Sequence, residues 1–148
     1  MPIPEQKPII GAVEQVDLPE LGLYGIRAKI DTGASTSVLH CENFEVFEKD
    51  GHRYIRCELN DHPEVKQGKL ITITFPVHRE QVVKSSFGQA ELRHIFITKI
   101  KLFDTLFDIK LSVRDRSGMS YPMLLGRNFI QNKFLVDVSR KYLAKKRG

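Results

Sequence analysis

The chain has 148 residues, of which 41% are hydrophobic and 28% charged, an ordinary balance for a globular protein with one core. No apolar run approaches the roughly 18 residues that a membrane-spanning helix needs. The first eight residues lack the apolar segment of a secretory signal. We therefore expect a cytoplasmic protein without a membrane partner, with one domain at 8–143, a flexible N-terminus at 1–7 and a basic tail at 144–148.

The net charge of +5 is concentrated at the C-terminus. The last ten residues contain five basic side chains and no acidic one, and without them the chain has 18 basic and 18 acidic side chains. A solvated tail is the simpler interpretation of this distribution. A weak contact with the ribosome or RNA through the tail is the alternative.

Short runs in which Val, Ile, Phe and Thr alternate with polar residues predict a mainly β protein. In chain order, the predicted strands are 9–18, 24–30, 38–47, 53–59, 70–75, 89–100, 105–113 and 134–138. Asp50-Gly51 predicts a hairpin turn. The only predicted helix is short and covers 127–132.

The most informative motif, Asp31-Thr32-Gly33, follows directly after the predicted strand at 24–30. A carboxylate, a hydroxyl and a glycine in this position form the catalytic loop of aspartic peptidases. There the Asp activates water, the Thr ties the loop to its partner and the Gly lets the backbone approach the substrate. An ordinary turn is the alternative, since Asp and Gly are common turn residues.

A second motif, Leu124-Leu125-Gly126-Arg127-Asn128, follows about ninety residues later. It resembles the strand-to-helix segment that closes a retropepsin monomer, in which Gly126, Arg127 and Asn128 would have structural roles. A strand that enters a helix through a glycine is the alternative, and it holds under either interpretation. The second motif therefore supports the fold more than it supports catalysis.

A single Asp-Thr-Gly motif cannot complete an aspartic peptidase. The mechanism needs two carboxylates that share one proton, so that one acts as base and the other as acid. The chain is about half the length of a two-lobed enzyme, so the second Asp31 would have to come from a second copy. This interpretation predicts a two-fold homodimer with an isologous interface.

Three stretches extend the resemblance beyond these motifs: 16–22, 28–37, and 113–116 continuing through Met119, Pro122, Leu125 and Gly126 to Arg127. They are similar to a bacterial retropepsin-like family known as ATP-dependent zinc proteases, which is associated with RimK-type glutamate ligases. The resemblance covers about residues 10–143. It implies a closed β-barrel with one short C-terminal helix, an Asp31 catalytic loop, and a role as a peptidase or modulator in glutamate-ligase pathways.

Two departures from the retropepsin pattern affect substrate binding. Retroviral enzymes usually have Asp where Ser35 stands, and that Asp pairs with the arginine matching Arg127. Arg127 therefore needs another partner or binds an anionic group. The glycine-rich flap is also not evident, and 84–89 is the best candidate for it.

The zinc and ATP in the family name find little support in the residues. No His-Glu-x-x-His motif and no phosphate-binding Gly-rich loop is present. The candidate ligands, His40, Cys41, His52, Cys57 and His62, would need several chain irregularities to form a tetrahedral site. We therefore predict no metal and no cofactor, and expect Cys41 and Cys57 to be reduced, partly buried thiols.

The remaining candidate site residues are expected to bind substrate: Ala34, Ser35, Arg93, Arg114, Asp115 and Arg116. Arginines bind carboxylates through paired hydrogen bonds, so an acidic or glutamate-modified peptide is the predicted substrate. For any single arginine, a stem that covers core while its head pairs with an acid is the simpler explanation. A non-catalytic module that binds a peptide or the ribosome, and a zinc-dependent protease, are the alternatives to an aspartic endopeptidase.

Overall fold

The computed structural model describes residues 6–41, 43–59, 71–84, 88–114 and 121–144. Within these residues the chain forms twelve strands, one short α-helix and one turn of 3-10 helix at Pro19–Leu21. The strands are β1 (Ile9–Ile10), β2 (Val13–Leu18), β3 (Leu23–Ile30), β4 (Ser37–His40), β5 (Asn43–Lys49), β6 (His52–Leu59), β7 (Ile71–Pro76), β8 (Arg79–Lys84), β9 (Ala90–Leu102), β10 (Thr105–Arg114), β11 (Met123–Leu125) and β12 (Leu135–Val136). The helix α1 is Arg127–Ile130.

Six of the strands form a closed barrel. They are hydrogen-bonded in the order β10-β4-β11-β3-β2-β9, and β9 pairs back with β10 to complete the ring. Alternation along the strands places large apolar side chains inside, as in β3, where Leu23, Ile26, Ala28 and Ile30 are buried. Strand β8 pairs only with β9 and extends that wall of the barrel.

A separate three-stranded sheet, β5-β6-β7, packs against the barrel. Its inward side chains include Ile55, Cys57, Ile73 and Phe75, all buried. The ring of Phe75 stacks on that of Phe96 from β9, with 4.2 Å between the ring centres. Burial of these side chains joins the two sheets into one hydrophobic core.

The two ends of the chain are held together beside the barrel. Strands β1 and β12 pair in parallel, with Ile9 opposite Leu135. The buried carboxylate of Glu14 accepts hydrogen bonds from the backbone N–H groups of Gly11, Leu143 and Ala144, at 2.7, 3.0 and 2.9 Å. The last described residues are thereby fixed to the start of β2.

The predicted fold class, a mainly β closed barrel with one short C-terminal helix, is confirmed. The individual elements differ in their limits. The predicted strand at 9–18 is interrupted at Gly11 and Ala12, the strand at 38–47 divides into β4 and β5, and β8 was not predicted. The helix ends at Ile130 and the last strand shortens to Leu135–Val136.

Two further expectations can be placed against the structure. Asp50 and Gly51 form the predicted turn between β5 and β6, both with positive φ. No helix of the described part of the chain is long and apolar enough to cross a membrane. Residues 1–5 and 145–148 lie outside the described residues.

Candidate active site

The Asp31 loop leaves the barrel at the end of β3. Strand β11 lies between β3 and β4, parallel to the first and antiparallel to the second. The N–H of Asp31 donates to the carbonyl oxygen of Leu125 at 2.9 Å, which fixes the start of the loop to β11. The loop 31–36 thus joins two strands that are separated by a third.

The second sequence motif holds this loop from behind. The N–H groups of Arg127 and Asn128 donate to the carbonyl oxygens of Ala34 and Ser35, at 2.8 and 3.0 Å. The N–H of Gly126 donates to the hydroxyl oxygen of Ser37 at 3.0 Å. A Cβ atom at Gly126 would lie 2.9 Å from Ala34 O, so only glycine allows this approach.

The carboxylate of Asp31 is half-buried. Its Oδ1 accepts a hydrogen bond from the N–H of Gly33 at 3.0 Å, which is its one contact of this kind within the described residues. A Cβ at Gly33 would lie 3.2 Å from the same oxygen. Thr32 and Gly33 are exposed at the tip of the loop, so this surface is open to another molecule.

Arg127 does not pair with a carboxylate in the described part of the chain. Its Nη1 donates to the carbonyl oxygen of Thr32 at 2.9 Å, and the residue is exposed. Ser35 in the same loop is also exposed. The guanidinium of Arg127 therefore lies against the backbone of the Asp31 loop and forms no ion pair with a described carboxylate.

Two predicted substrate-binding arginines share one glutamate that the sequence reasoning missed. Glu91 Oε2 lies 3.4 Å from Arg93 Nη2 and 3.6 Å from Arg114 Nη2. The side chain of Arg93 is 11% exposed, and its buried Nε has no hydrogen-bond partner. Asp115 and Arg116 lie outside the described residues.

The arginine pair and the Asp31 loop lie at different levels of the barrel wall. Arg114 is in register with His40, whereas Ser37, next to the loop, is in register with Leu111. Three residues of strand separate these levels, or about 10 Å. Strands β11 and β4 also lie between β3, which Asp31 follows, and β10, which carries Arg114, so the structure does not bring the two groups into contact.

The predicted flap, 84–89, lies at the tip of the hairpin formed by β8 and β9. Lys84 pairs with Ala90, and the connection continues through 85–87, which lie outside the described residues. On the stem of this hairpin, Val82 and Leu92 face each other across the strands and are exposed.

The candidate zinc ligands do not fit a metal site in the described structure. Cys41 and Cys57 are both buried and their thiols are hydrogen-bonded to each other. This hydrogen bond, together with burial, raises the pKa of Cys57 well above its ordinary value, whereas the same hydrogen bond lowers the pKa of Cys41. No group of three or more His, Cys, Asp or Glu residues that could hold a metal occurs in the described ranges, which do not include His62.

Two contributors to the site were not among the predicted site residues. Ser37 supplies the hydroxyl that accepts from Gly126, and Glu91 neutralises part of the arginine pair. A serine after a turn and a glutamate on a polar strand are too common to be singled out. Their roles follow from the register of strands that are distant in the sequence.

A closed barrel in which a strand passes between the two strands that flank an Asp-Thr-Gly loop defines a retropepsin-like aspartic peptidase domain. Over residues 9–147 the chain matches the RimB-like family, described as retropepsin-like aspartic endopeptidase RimB, and it belongs to that family. The resemblance recognised in the sequence is confirmed.

A solved structure and several curated proteins are similar to the chain. The crystal structure of Lpg0085, a protein of unknown function (DUF785) from Legionella pneumophila, has a TM-score of 0.76 and 28% identity, covering 95% of this chain and 100% of its own. Proteins named probable alpha-L-glutamate ligase from Desulfotalea psychrophila and Shewanella pealeana are each 34% identical, over 88% and 97% of this chain. The aligned part is only 28% and 31% of their own lengths, so the chain spans less than a third of these relatives.

Proposed function

We propose that the protein is an aspartic-type endopeptidase that acts as a homodimer, with one Asp31 from each subunit. In this proposal the two carboxylates share one proton and bind a water molecule between them. The ionised carboxylate takes a proton from the water as it attacks the peptide carbonyl, while the protonated one donates to the carbonyl oxygen. In the second step the carboxyl group that took the proton from water donates it to the amide nitrogen, the other carboxylate takes a proton from a hydroxyl of the intermediate, and the C–N bond breaks to give an acid and an amine.

The observation that carries the proposal is the setting of Asp31. Its carboxylate stands at an exposed loop tip with a single hydrogen bond from Gly33, while the backbone of the loop is tied to Leu125, Arg127 and Asn128. A rigid loop with an accessible carboxylate is what a two-fold active site requires from each subunit. The family to which the chain belongs supports a peptidase-like interpretation.

An apolar patch near the loop is the proposed surface for the second copy. Ile9, Leu135 and Val138 are 45, 54 and 79% exposed, and Ile9 and Leu135 pair with each other in the sheet of β1 and β12. The patch is close to the catalytic strand, because Ala12 accepts the N–H of Ile30 at 2.9 Å, next to Asp31. Burying it against its own copy would remove apolar surface from water and bring the two loops together.

The proposed substrate is an acidic peptide. Arg93 and Arg114 share the single charge of Glu91, so the pair keeps a net positive charge, and Arg127 adds another beside the loop. Guanidinium groups bind carboxylates with two parallel hydrogen bonds. The relatives named as glutamate ligases make glutamate-containing peptides a reasonable first choice of substrate.

The peptidase proposal is tested with Asp31→Asn. We expect the purified variant to keep its thermal midpoint and lose cleavage of a glutamate-rich peptide library by at least about a thousandfold, because Asn cannot act as a base. Asp50→Asn, the same chemical change at the exposed turn between β5 and β6, is the control that should retain cleavage. Cleavage that survives in Asp31→Asn would contradict the proposal.

The substrate part is tested separately with Arg114→Gln in an Asp31→Asn background. Loss of one partly exposed guanidinium should weaken binding of a labelled glutamate-rich peptide by roughly three- to tenfold. Arg56→Gln, which removes an exposed arginine paired with Glu45 on the outer sheet, is the matched control. Equal binding by the two variants would remove Arg114 from the proposed substrate site.

A non-catalytic module is the second candidate function. The observation that favours it is the length of the relatives, since a related segment forms less than a third of proteins named as ligases. Such a segment could serve as a docking module for a ligase or its product. In that case Asp31→Asn would leave binding to the partner, and any effect on ligation, unchanged.

A further inference from the structure

A groove of about 490 Å³ lies between α1 and the outer face of β9 and β10. It plays no part in the proposed chemistry of Asp31. One wall comes from the helix segment and the other from the strands, and its lining residues are Arg79, Ile97, Asp108, Ile109, Lys110, Asn128, Phe129 and Lys133.

The charges along this groove are mostly positive. Asp108 is occupied by Lys99, which lies outside the lining and whose pKa is raised by that hydrogen bond. Arg79 donates to the amide oxygen of Gln81, and Lys133 to the carbonyl oxygen of Phe129. Neither these two cations nor Lys110 forms an ion pair with a described carboxylate, so the groove attracts anions.

The side chains at the floor of the groove favour an acidic peptide over single-stranded RNA. Ile109 and Phe129 are buried, and the Phe129 ring is enclosed by Phe107, at 5.9 Å between ring centres, and by Lys133 at 5.2 Å. Binding of single-stranded RNA relies on exposed aromatic faces on which bases stack. The groove offers none, whereas Ile97 is half-exposed and can contact aliphatic stems.

We propose that this groove is a binding site for an extended, carboxylate-rich peptide segment, held through Arg79, Lys110 and Lys133. The identification of the segment as part of a substrate rests on the proposed peptidase function, while binding itself does not. Asn128 lines the groove and its N–H donates to Ser35 of the Asp31 loop at 3.0 Å. A peptide in the groove would therefore lie outside the loop and hold the substrate at residues remote from the cleaved bond.

The test uses the full chain with Asp31→Asn, so that the probe is not cleaved. The probe is a fluorescein-labelled peptide of ten glutamates, and its binding is measured by anisotropy at low ionic strength. We expect Arg79→Gln with Lys110→Gln to weaken binding by about tenfold, since two exposed cations are lost. The matched control is Lys7→Gln with Lys49→Gln, two exposed lysines outside the groove, which should change binding by less than about twofold.

Carbodiimide cross-linking gives a second, site-resolved measurement. Carboxylates of the bound peptide should form amide bonds with Lys110 or Lys133, identified by mass spectrometry. Equal binding by the two double variants, or cross-links only to lysines outside the groove, would overturn the proposal. So would tighter binding of a ten-nucleotide RNA that is lost in the Arg79 and Lys110 double variant.

Failure of this proposal and failure of the peptidase proposal give different results. If the wild-type protein cleaves acidic peptides, and the two double variants made without Asp31→Asn cleave them equally well and bind them with equal affinity, the groove proposal alone is overturned. Groove-dependent binding in a protein that cleaves nothing would leave the groove standing and overturn the catalytic proposal.

Discussion

Glu14 shows how one buried charge can fix a distant part of the chain. Its side chain is fully buried, and its two oxygens accept three backbone N–H groups, two of them from Leu143 and Ala144 near the C-terminus. A buried carboxylate is tolerated only when hydrogen bonds replace its hydration. The C-terminal segment therefore depends on this residue for its position.

We predict that Glu14→Gln lowers the free energy of unfolding by about 1–3 kcal/mol. The amide NH₂ of Gln would replace one of the two acceptor oxygens, so that a donor would face a backbone N–H group. Chemical denaturation with a fluorescence or circular-dichroism readout measures this change. Glu45→Gln, at an exposed ion pair, is the control and should change stability by less than about 0.5 kcal/mol. A Glu14 variant as stable as the control would show that the three hydrogen bonds contribute little.

The candidate site loop could be located from the sequence because its Asp-Thr-Gly motif follows a strand and is accompanied by a second motif about ninety residues later. Asp31 with Thr32 and Gly33 after a strand, and Gly126 after two leucines, each mark a position where a specific group or the lack of a side chain is needed. Glu14 and Ser37 act through partners more than eighty residues away. No local pattern announces such contacts, so they were missed.

At the level of elements, the alternation of apolar and polar residues located most strands but did not show where one strand ends and the next begins. The predicted strand at 38–47 contains β4 and β5, which belong to different sheets. The N–H of Cys41 donates to Arg114 O, as a continuation of β4, while its thiol contacts the carbonyl oxygens of Asn43 and Glu58 in the next sheet. A change of sheet leaves the residue alternation intact, so the pattern could not reveal it.

Strand β8 was missed for a related reason. It covers Arg79–Lys84 and contains charged residues at both ends, with Val82 exposed. As it pairs only with β9, it lacks the buried face that gives other strands their apolar alternation. This segment forms a strand because it pairs with β9, and the apolar pattern of the segment itself does not show that pairing.

At the scale of the whole molecule, the closed barrel is compatible with the proposal that a second copy completes the site. The barrel interior is filled by packed side chains, and the loop that follows β3 carries a half-buried Asp31 next to the exposed Thr32 and Gly33. Within the described residues no second Asp or Glu contacts Asp31. The second carboxylate of the proposed proton-sharing pair would come from another copy of the chain.

The dimer proposal makes a quantitative prediction for mixtures of subunits. If active sites form between two copies, adding an equal amount of Asp31→Asn protein to a fixed amount of wild type should lower cleavage to about half, because half of the wild-type subunits then sit in mixed dimers. The measurement is the initial rate after the mixture has exchanged subunits. Asp31→Asn that also carries Leu135→Lys is the control, since a charge in the proposed apolar interface should keep it out of dimers and leave the rate unchanged. A rate unaffected by the dimerisation-competent Asp31→Asn subunit would mean that each molecule works alone, and the shared pair of carboxylates would have to be abandoned.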